Sequence, residues 1–158
     1  MKSKWLAIAV FAGAWALPAE AQMVRGQDPG SLVSALQNAG YAAKLGTDKL
    51  GDPMISSGVS GTAFEIMFYN CTANKECATV TFYSQPYKLA SPPGLDRINE
   101  WNRSKRFGRA YLDKVNRPVL EMDVDLDDGG MSSALFIDNI EFWSSVLIDF
   151  ERHVGYRK

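Results

Sequence analysis

The sequence predicts an α+β domain, an antiparallel sheet with flanking helices in the order α-ββββ-α-ββ-α. Two segments, residues 62–84 and 107–126, alternate apolar and polar residues as β-hairpins do. Three other segments carry apolar residues at helical spacing, and no strand-helix-strand alternation indicates a parallel sheet. A chain of 158 residues, 46% of them hydrophobic, is long enough for one such domain.

The charge balance argues against several functional classes. With 17 basic and 18 acidic side chains, the formal charge of −1 gives no general attraction to nucleic acid. The chain has one histidine, His153, which excludes a His-rich metal site and disfavours a hydrolase with a serine–histidine pair. We expect His153 on the surface near a helix C-terminus. No motif indicates a nucleophile or a cofactor loop, so we predict a protein that is not an enzyme and needs no cofactor.

The first 21 residues are organised like a signal peptide. Lys2 and Lys4 precede an uncharged stretch over residues 5–18, and residues 19–21 form an A-x-A cleavage site. That stretch is too short to cross a bilayer as a helix. We predict cleavage after residue 21 and a periplasmic or secreted domain, residues 22–158, without a membrane span; a retained N-terminal anchor is the alternative. Losing Lys2, Lys4 and Glu20 leaves 15 basic and 17 acidic side chains.

The first half of the exported chain is predicted to contain one helix and two short strands. Asp28 is a candidate N-cap, Pro29 suits the first helical position, and Gly40 is a candidate stop. Strand candidates at residues 41–45 and 54–60 are joined by a turn-rich segment. Residues 22–27 are expected to be a loose N-terminus.

The hairpin at residues 62–84 contains both cysteines. If Cys71 faces Cys77, the antiparallel register follows, with these pairs: Phe68 with Val80, Ile66 with Phe82, Tyr69 with Thr79 and Met67 with Thr81. This register sorts both strands into an apolar face and a mixed face, so the hydrophobic pattern supports the pairing. In an oxidising compartment we predict a structural disulfide between Cys71 and Cys77. A redox pair, which usually has C-x-x-C spacing, and two free thiols are the alternatives.

The second half is predicted to form a helix, a second hairpin and a long final helix. Leu95, Ile98 and Trp101 mark the first of these helices, and the hairpin strands lie near residues 107–114 and 119–126. The final helix spans about residues 132–154, with a stripe of apolar residues that faces the core: Phe136, Ile140, Trp143, Leu147, Phe150 and Val154.

The second strand of that hairpin carries alternating aspartates that resemble the start of an EF-hand loop. Asp123, Asp125 and Asp127 match the first positions, but Asp128 stands where glycine is needed and Ala134 where a bidentate glutamate is needed. We interpret the aspartates as the solvent face of an amphipathic strand and predict no metal site. A weak cation site is the alternative.

A basic and aromatic cluster precedes this strand. It contains five basic residues around three aromatic ones: Arg97, Arg103, Lys105, Arg106 and Arg109 with Trp101, Phe107 and Tyr111. An odd-length turn places Arg109 and Tyr111 on the same face as Asp123 and Asp125, so local charge pairing is the default interpretation. The alternative is a binding surface for a protein or ligand, formed by Trp101, Asn102, Arg106, Arg109 and Tyr111. Nucleic acid is the least favoured ligand.

Several segments resemble the YbjN domain family, namely DKLGDPMIS, FEIMFYNC, ECATVTFY, INEWNRSKRFGRAYLD and LEMDVDLDDGG. The resemblance covers about residues 28–154, and its most specific part is Trp101-Asn102 followed by residues 106–113. The turn at residues 114–118 departs from the D-G type turn expected in the family. The resemblance implies a fold similar to type III secretion chaperones, which are typically homodimers that hold extended polypeptides. It implies no catalytic residues.

Together, these observations predict a non-enzymatic periplasmic binding or regulatory module that engages a protein or peptide, with a homodimer as a candidate assembly. The mixed hairpin face with Met67, Tyr69 and Tyr83 suggests binding through a sheet face or edge. The alternative is a small periplasmic hydrolase or small-molecule-binding protein with a carboxylate pair assembled by the fold. A deep pocket with perturbed carboxylates would favour that alternative, and a shallow apolar groove would favour peptide binding.

Overall fold

The computed structural model describes residues 22–85 and 87–158. The predicted signal peptide lies outside these residues. The elements in chain order are β1 (Met23–Val24), α1 (Pro29–Asn38), β2 (Ala43–Thr47), β3 (Pro53–Val59), β4 (Thr62–Tyr69), β5 (Thr79–Ser84), α2 (Leu95–Ser104), β6 (Arg109–Leu112), β7 (Pro118–Asp125), β8 (Met131–Ser132) and α3 (Ser133–His153).

The main sheet has six antiparallel strands in the order β2-β3-β4-β5-β7-β6. Helix α2 joins β5 to the outer strand β6, and the chain then returns as β7 into the space beside β5. The predicted α+β class and its helix-flanked antiparallel sheet are confirmed. Within the described part of the chain, no helix is both long and apolar enough to cross a membrane.

The predicted register of the first hairpin is confirmed. Phe68 pairs with Val80 and Ile66 pairs with Phe82, and the predicted Cys71–Cys77 disulfide closes the loop with its Cα atoms 3.9 Å apart. The hydrophobic pattern and the disulfide constrain the same register, which is why the sequence specifies it.

The N-terminal segment is ordered, so the expectation of a loose end at residues 22–27 is wrong. Strand β1 pairs with β8, and Val24 is fully buried. Gly26 packs against the backbone of Cys77 so closely that a Cβ atom there would lie 2.0 Å from the carbonyl oxygen. Strands of two residues have no period that a sequence pattern could show.

The core lies between one face of the sheet and the helices. Trp143 of α3 is fully buried, with its ring 6.0 Å from Phe64 and 5.9 Å from Phe82. The ring of Trp101 in α2 lies 5.0 Å from that of Phe150 and is also fully buried. Because side chains alternate along each strand, burial of this face places the intervening residues on the opposite face.

Candidate functional site

We call the opposite side of the sheet the open face. All six strands contribute to it, and its residues include Lys44, Met54, Ser56, Glu65, Met67, Tyr69, Thr81, Tyr83, Arg109, Tyr111, Glu121, Asp123 and Asp125. The grooves on this face are lined by strand and loop residues, and none of the described helices contributes a lining residue. The two faces of the sheet therefore differ, because helices cover only one of them.

The central groove of the open face has a volume of about 570 Å³. Met54 and Met67 are register partners in its floor, and Tyr69 and Tyr83 extend that apolar surface. The rim is charged and contains Asp48, Lys49 and Glu65. Methionine adapts its shape to many partners, and tyrosine offers an apolar ring with a polar end.

The β2–β3 loop forms one wall of the central groove and is held from two sides. The Asp48 carboxylate accepts hydrogen bonds from the amides of Leu50 and Asp52 at 2.8 and 3.0 Å. Asn74, in the disulfide loop, donates to the Asp52 carboxylate at 2.8 Å and to the Leu50 carbonyl at 3.2 Å. The disulfide loop therefore positions the wall of the groove.

Two further grooves adjoin the central one. A groove of about 460 Å³ shares Glu65 and Tyr83 with it, and a groove of about 690 Å³ shares Tyr69. Ala63 lines the 460 Å³ groove, Met67 lines the central groove, and Tyr69 lines the central and the 690 Å³ grooves. The three grooves therefore follow one another along β4. Strand β4 has 8 residues, so this track is roughly 27 Å long at about 3.4 Å per residue.

Glu121, Arg109 and Tyr111 form a hydrogen-bonded cluster, the Glu121 cluster, at the β6 side of the open face. Glu121 is nearly buried, and its carboxylate accepts hydrogen bonds from the Arg109 guanidinium and, at 2.6 Å, from the Tyr111 hydroxyl. Burial and this hydrogen bond raise the pKa of Tyr111, and the bond to Glu121 raises the pKa of Arg109. The cluster therefore keeps Tyr111 neutral and Arg109 charged.

The two tyrosines of the central groove are also held in the neutral form. Burial, followed by the negative charge of Glu121, raises the pKa of both Tyr69 and Tyr83. Glu65 contributes to the shift at Tyr83, its register partner. The groove therefore presents neutral aromatic rings beside carboxylates.

The structure separates the five residues of the candidate binding surface. Trp101 has no exposed area, and its indole N–H donates to the Gly108 carbonyl at 2.6 Å. The Asn102 amide makes two hydrogen bonds of 2.9 Å to the backbone of Ala110 and so covers the outer edge of β6. Both residues therefore have a structural role, because they hold α2 against the backbone at the start of β6.

The other three residues of that candidate surface are exposed, but on different parts of the molecule. Arg109 and Tyr111 lie on the open face, as the odd-length turn predicted. Arg106 lies over the ring of Phe107, in a groove that α3 helps to line. The five residues therefore form no continuous surface.

The partner of Arg109 differs from the expected one. Its guanidinium pairs with Glu121, directly opposite in the register, whereas the Asp123 carboxylate accepts a hydrogen bond of 2.6 Å from Thr81. Asp125 is exposed on the solvent side of its strand. In residues 22–85 and 87–158, no three His, Cys, Asp or Glu side chains are grouped so that they could hold a metal ion.

His153 is the last residue of α3, at the helix C-terminus where it was expected, and it is half-buried. Its Nε2 lies 2.7 Å from the Arg97 carbonyl, and Arg97 Nε donates to the His153 carbonyl at 2.7 Å. Its ring lies 5.5 Å from that of Trp101. His153 thus joins α2 to the end of α3.

Sequence reasoning missed one exposed aromatic pair. The rings of Phe107 and Phe142 are 4.9 Å apart, and 51% and 42% of these residues are exposed. Phe142 precedes Trp143 and lies outside the apolar stripe of the helix, so its face of α3 points away from the core. An aromatic residue outside the stripe of an amphipathic helix was the available indication.

Comparison with known proteins identifies a family that matches most of the chain. The profile of the family described as "YbjN: Putative bacterial sensory transduction regulator" matches residues 28–155, which include every residue of the open face. No curated protein matches the chain.

Proposed function

We propose, for a chain that belongs to the YbjN family, a non-enzymatic regulatory role in the periplasm that depends on holding an extended polypeptide segment on the open face. The observation that carries this proposal is the uncovered apolar floor of the central groove, formed by Met54, Met67, Tyr69 and Tyr83. The family description supports the regulatory part of the proposal.

The shape of the open face favours an extended ligand. The three grooves follow one another along β4, and none of them is confined to a single deep pocket. A track roughly 27 Å long fits about eight residues of extended chain. An extended segment would also place alternate side chains toward the sheet, where adaptable methionines can accept different side chains.

Two carboxylates of the open face, Glu121 and Asp123, are held in a way that favours binding over acid–base catalysis. Glu121 is engaged by both Arg109 and Tyr111, and Asp123 is engaged by Thr81. A general acid or base must exchange its proton with a substrate, whereas these hydrogen bonds hold the carboxylates in structural roles. This arrangement supports the binding module more than the hydrolase alternative.

The periplasmic part of the proposal has two supports. The first is the predicted leader before residue 22. The second is the Cys71–Cys77 disulfide, since such bonds persist in oxidising compartments.

A randomised short-peptide library displayed on phage tests the binding role directly. The immobilised domain, residues 22–158, should enrich peptides that lose binding to Met67→Ser. Phe142→Ser is the matched control, because Phe142 is an exposed apolar residue outside the open face. Thermal melting of both variants checks that they fold. If the parent domain enriches no peptide, or if the enriched peptides bind Met67→Ser as well as the parent, the proposal is wrong.

A further inference from the structure

We infer that the central groove selects polypeptide segments in which a lysine or arginine lies between apolar side chains. This inference rests on the proposed function and names the chemistry of its ligand. It comes from the position of Glu65 beside the apolar floor and from the charge distribution of the open face.

Negative charge is concentrated on the open face. The residues that line its three grooves include five carboxylates and two cations: Asp48, Glu65, Glu121, Asp123 and Asp125 with Lys49 and Arg109. Their net charge is −3, whereas residues 22–158 together have a net charge of −2. Lys44, the register partner of Ser56 on the same face, brings the charge of the face to −2, so the open face carries the whole net negative charge of the domain and attracts cationic segments.

Glu65 is the carboxylate best placed to contact a bound cation. It lines both the central groove and the adjoining 460 Å³ groove, and it is half-buried beside its register partner Tyr83. Within the described part of the chain, its carboxylate has no hydrogen-bond or ion-pair partner. Glu121, in contrast, is already bonded to Arg109 and Tyr111. Glu65 therefore keeps its capacity to accept hydrogen bonds from a guest ammonium or guanidinium group.

The surroundings of Glu65 suit the rest of such a side chain. The ring of Tyr83 can contact a cation through its π face, and Met67 offers apolar surface to the aliphatic stem. Alternate side chains of an extended segment lie about 7 Å apart on one side. Apolar neighbours of the cation can then reach Met54 and Tyr69 in the same groove.

The sequences of the enriched phage peptides test this inference. We expect lysine and arginine to be over-represented, and aspartate and glutamate depleted, relative to the unselected library. Selection on Glu65→Gln should lose the basic preference and keep the apolar one. Selection on Glu100→Gln, which changes an exposed carboxylate of α2, should keep both.

A binding cycle with one synthesised peptide gives the magnitude. Replacing its basic residue by glutamine should weaken binding to the parent roughly two- to fivefold, the scale of a single exposed ion pair. The same replacement should have no effect on binding to Glu65→Gln. Peptides enriched without basic residues, or a basic preference that survives Glu65→Gln, would overturn the inference and leave the binding role standing. A library with no enriched peptide would overturn the binding role itself.

Discussion

Arg157 lies next to the C-terminal residue and donates a hydrogen bond of 2.6 Å to the carboxylate of Glu151, which has no exposed area. Thr62 donates to the same carboxylate from the start of β4. Arg157 also donates to the Ser60 carbonyl at 2.8 Å. The C-terminal tail is thereby tied to the β3–β4 turn, which borders the strand that carries Glu65 and Met67.

Replacing Arg157 should destabilise the fold although the residue lies at the end of the chain. Arg157→Ala leaves the buried Glu151 without its charge partner, and we expect a loss of about 2 to 4 kcal/mol in the free energy of unfolding. Arg152→Ala is the control, because its 4.0 Å pair with Asp149 is exposed and should contribute less than about 1 kcal/mol. Urea melts measure both variants, and equal losses would contradict the prediction.

Removing the disulfide should loosen the wall of the central groove as well as the hairpin. Cys71→Ser with Cys77→Ser frees a loop in which three residues other than glycine have positive φ, namely Ala73, Asn74 and Glu76. A bridge over so short a loop stabilises by roughly 2 to 3 kcal/mol, which corresponds to a fall of several degrees in Tm. Calorimetry measures the fall, and hydrogen exchange should increase at residues 48–52 before it increases in α3. Unchanged melting would refute the structural role.

The Glu121 cluster predicts a change in alkaline titration. In the fold, the pKa of Tyr111 lies above its ordinary value of 10.0 because of burial and its bond to Glu121. The raised pKa stabilises the fold. This contribution is fully present below pH 10.0, the ordinary pKa of tyrosine, and is lost as the pH rises through the raised pKa of Tyr111 in the fold. Ultraviolet difference spectroscopy of Glu121→Gln should therefore detect tyrosinate at lower pH than in the parent. The curve of Glu100→Gln should match that of the parent, and an unshifted Glu121→Gln curve would contradict this account.

Asn102 should contribute to stability far more than its exposure suggests. Asn102→Ala removes both hydrogen bonds to Ala110 and uncovers the edge of β6, so we expect a loss of about 1 to 3 kcal/mol. Asn99→Ala, at an exposed position in the same helix, should change stability by less than about 0.5 kcal/mol. Chemical denaturation compares the two variants. Similar losses in the free energy of unfolding for both variants would show that the Asn102–Ala110 hydrogen bonds contribute nothing to stability.

The sequence predicted features of the fold that repeat over many residues. The alternation of Ile66 and Phe68 with Met67 and Tyr69 identifies the two faces of β4. The apolar stripe along the 21 residues of α3 likewise predicted that Trp143 lies in the core. Such patterns are predictable because each repeated residue adds the same information about one face.

Features that depend on a single tertiary contact were not predictable. The charged residues around Trp101 suggested an exposed binding surface, but the ring of Trp101 is fully buried. It packs against Phe150 of α3, which is distant in the sequence. The pairing of Arg109 with Glu121 rather than with a neighbouring aspartate depends on the exact register of β6 against β7. The length of a turn predicts the face of the sheet on which a residue lies. Predicting its cross-strand partner also requires the register of the two strands.

The two tryptophans of residues 22–158 provide a matched test of the core. Both rings are fully buried, but the indole N–H of Trp101 donates to the Gly108 carbonyl, whereas that of Trp143 has no hydrogen-bond partner among the described residues. An unsatisfied buried donor costs stability, so changing it to an apolar group offsets part of the lost packing. The same change at Trp101 loses packing and also a hydrogen bond.

Trp101→Phe should therefore be the more damaging of the two substitutions. Both variants lose similar ring volume, and only Trp101→Phe also leaves the Gly108 carbonyl without its donor. We expect its loss in the free energy of unfolding to exceed that of Trp143→Phe by about 1 kcal/mol or more. Denaturant melts of both variants decide the comparison. If Trp143→Phe proves equally or more costly, hydrogen bonding does not distinguish the two sites, and packing around Phe64 and Phe82 must dominate.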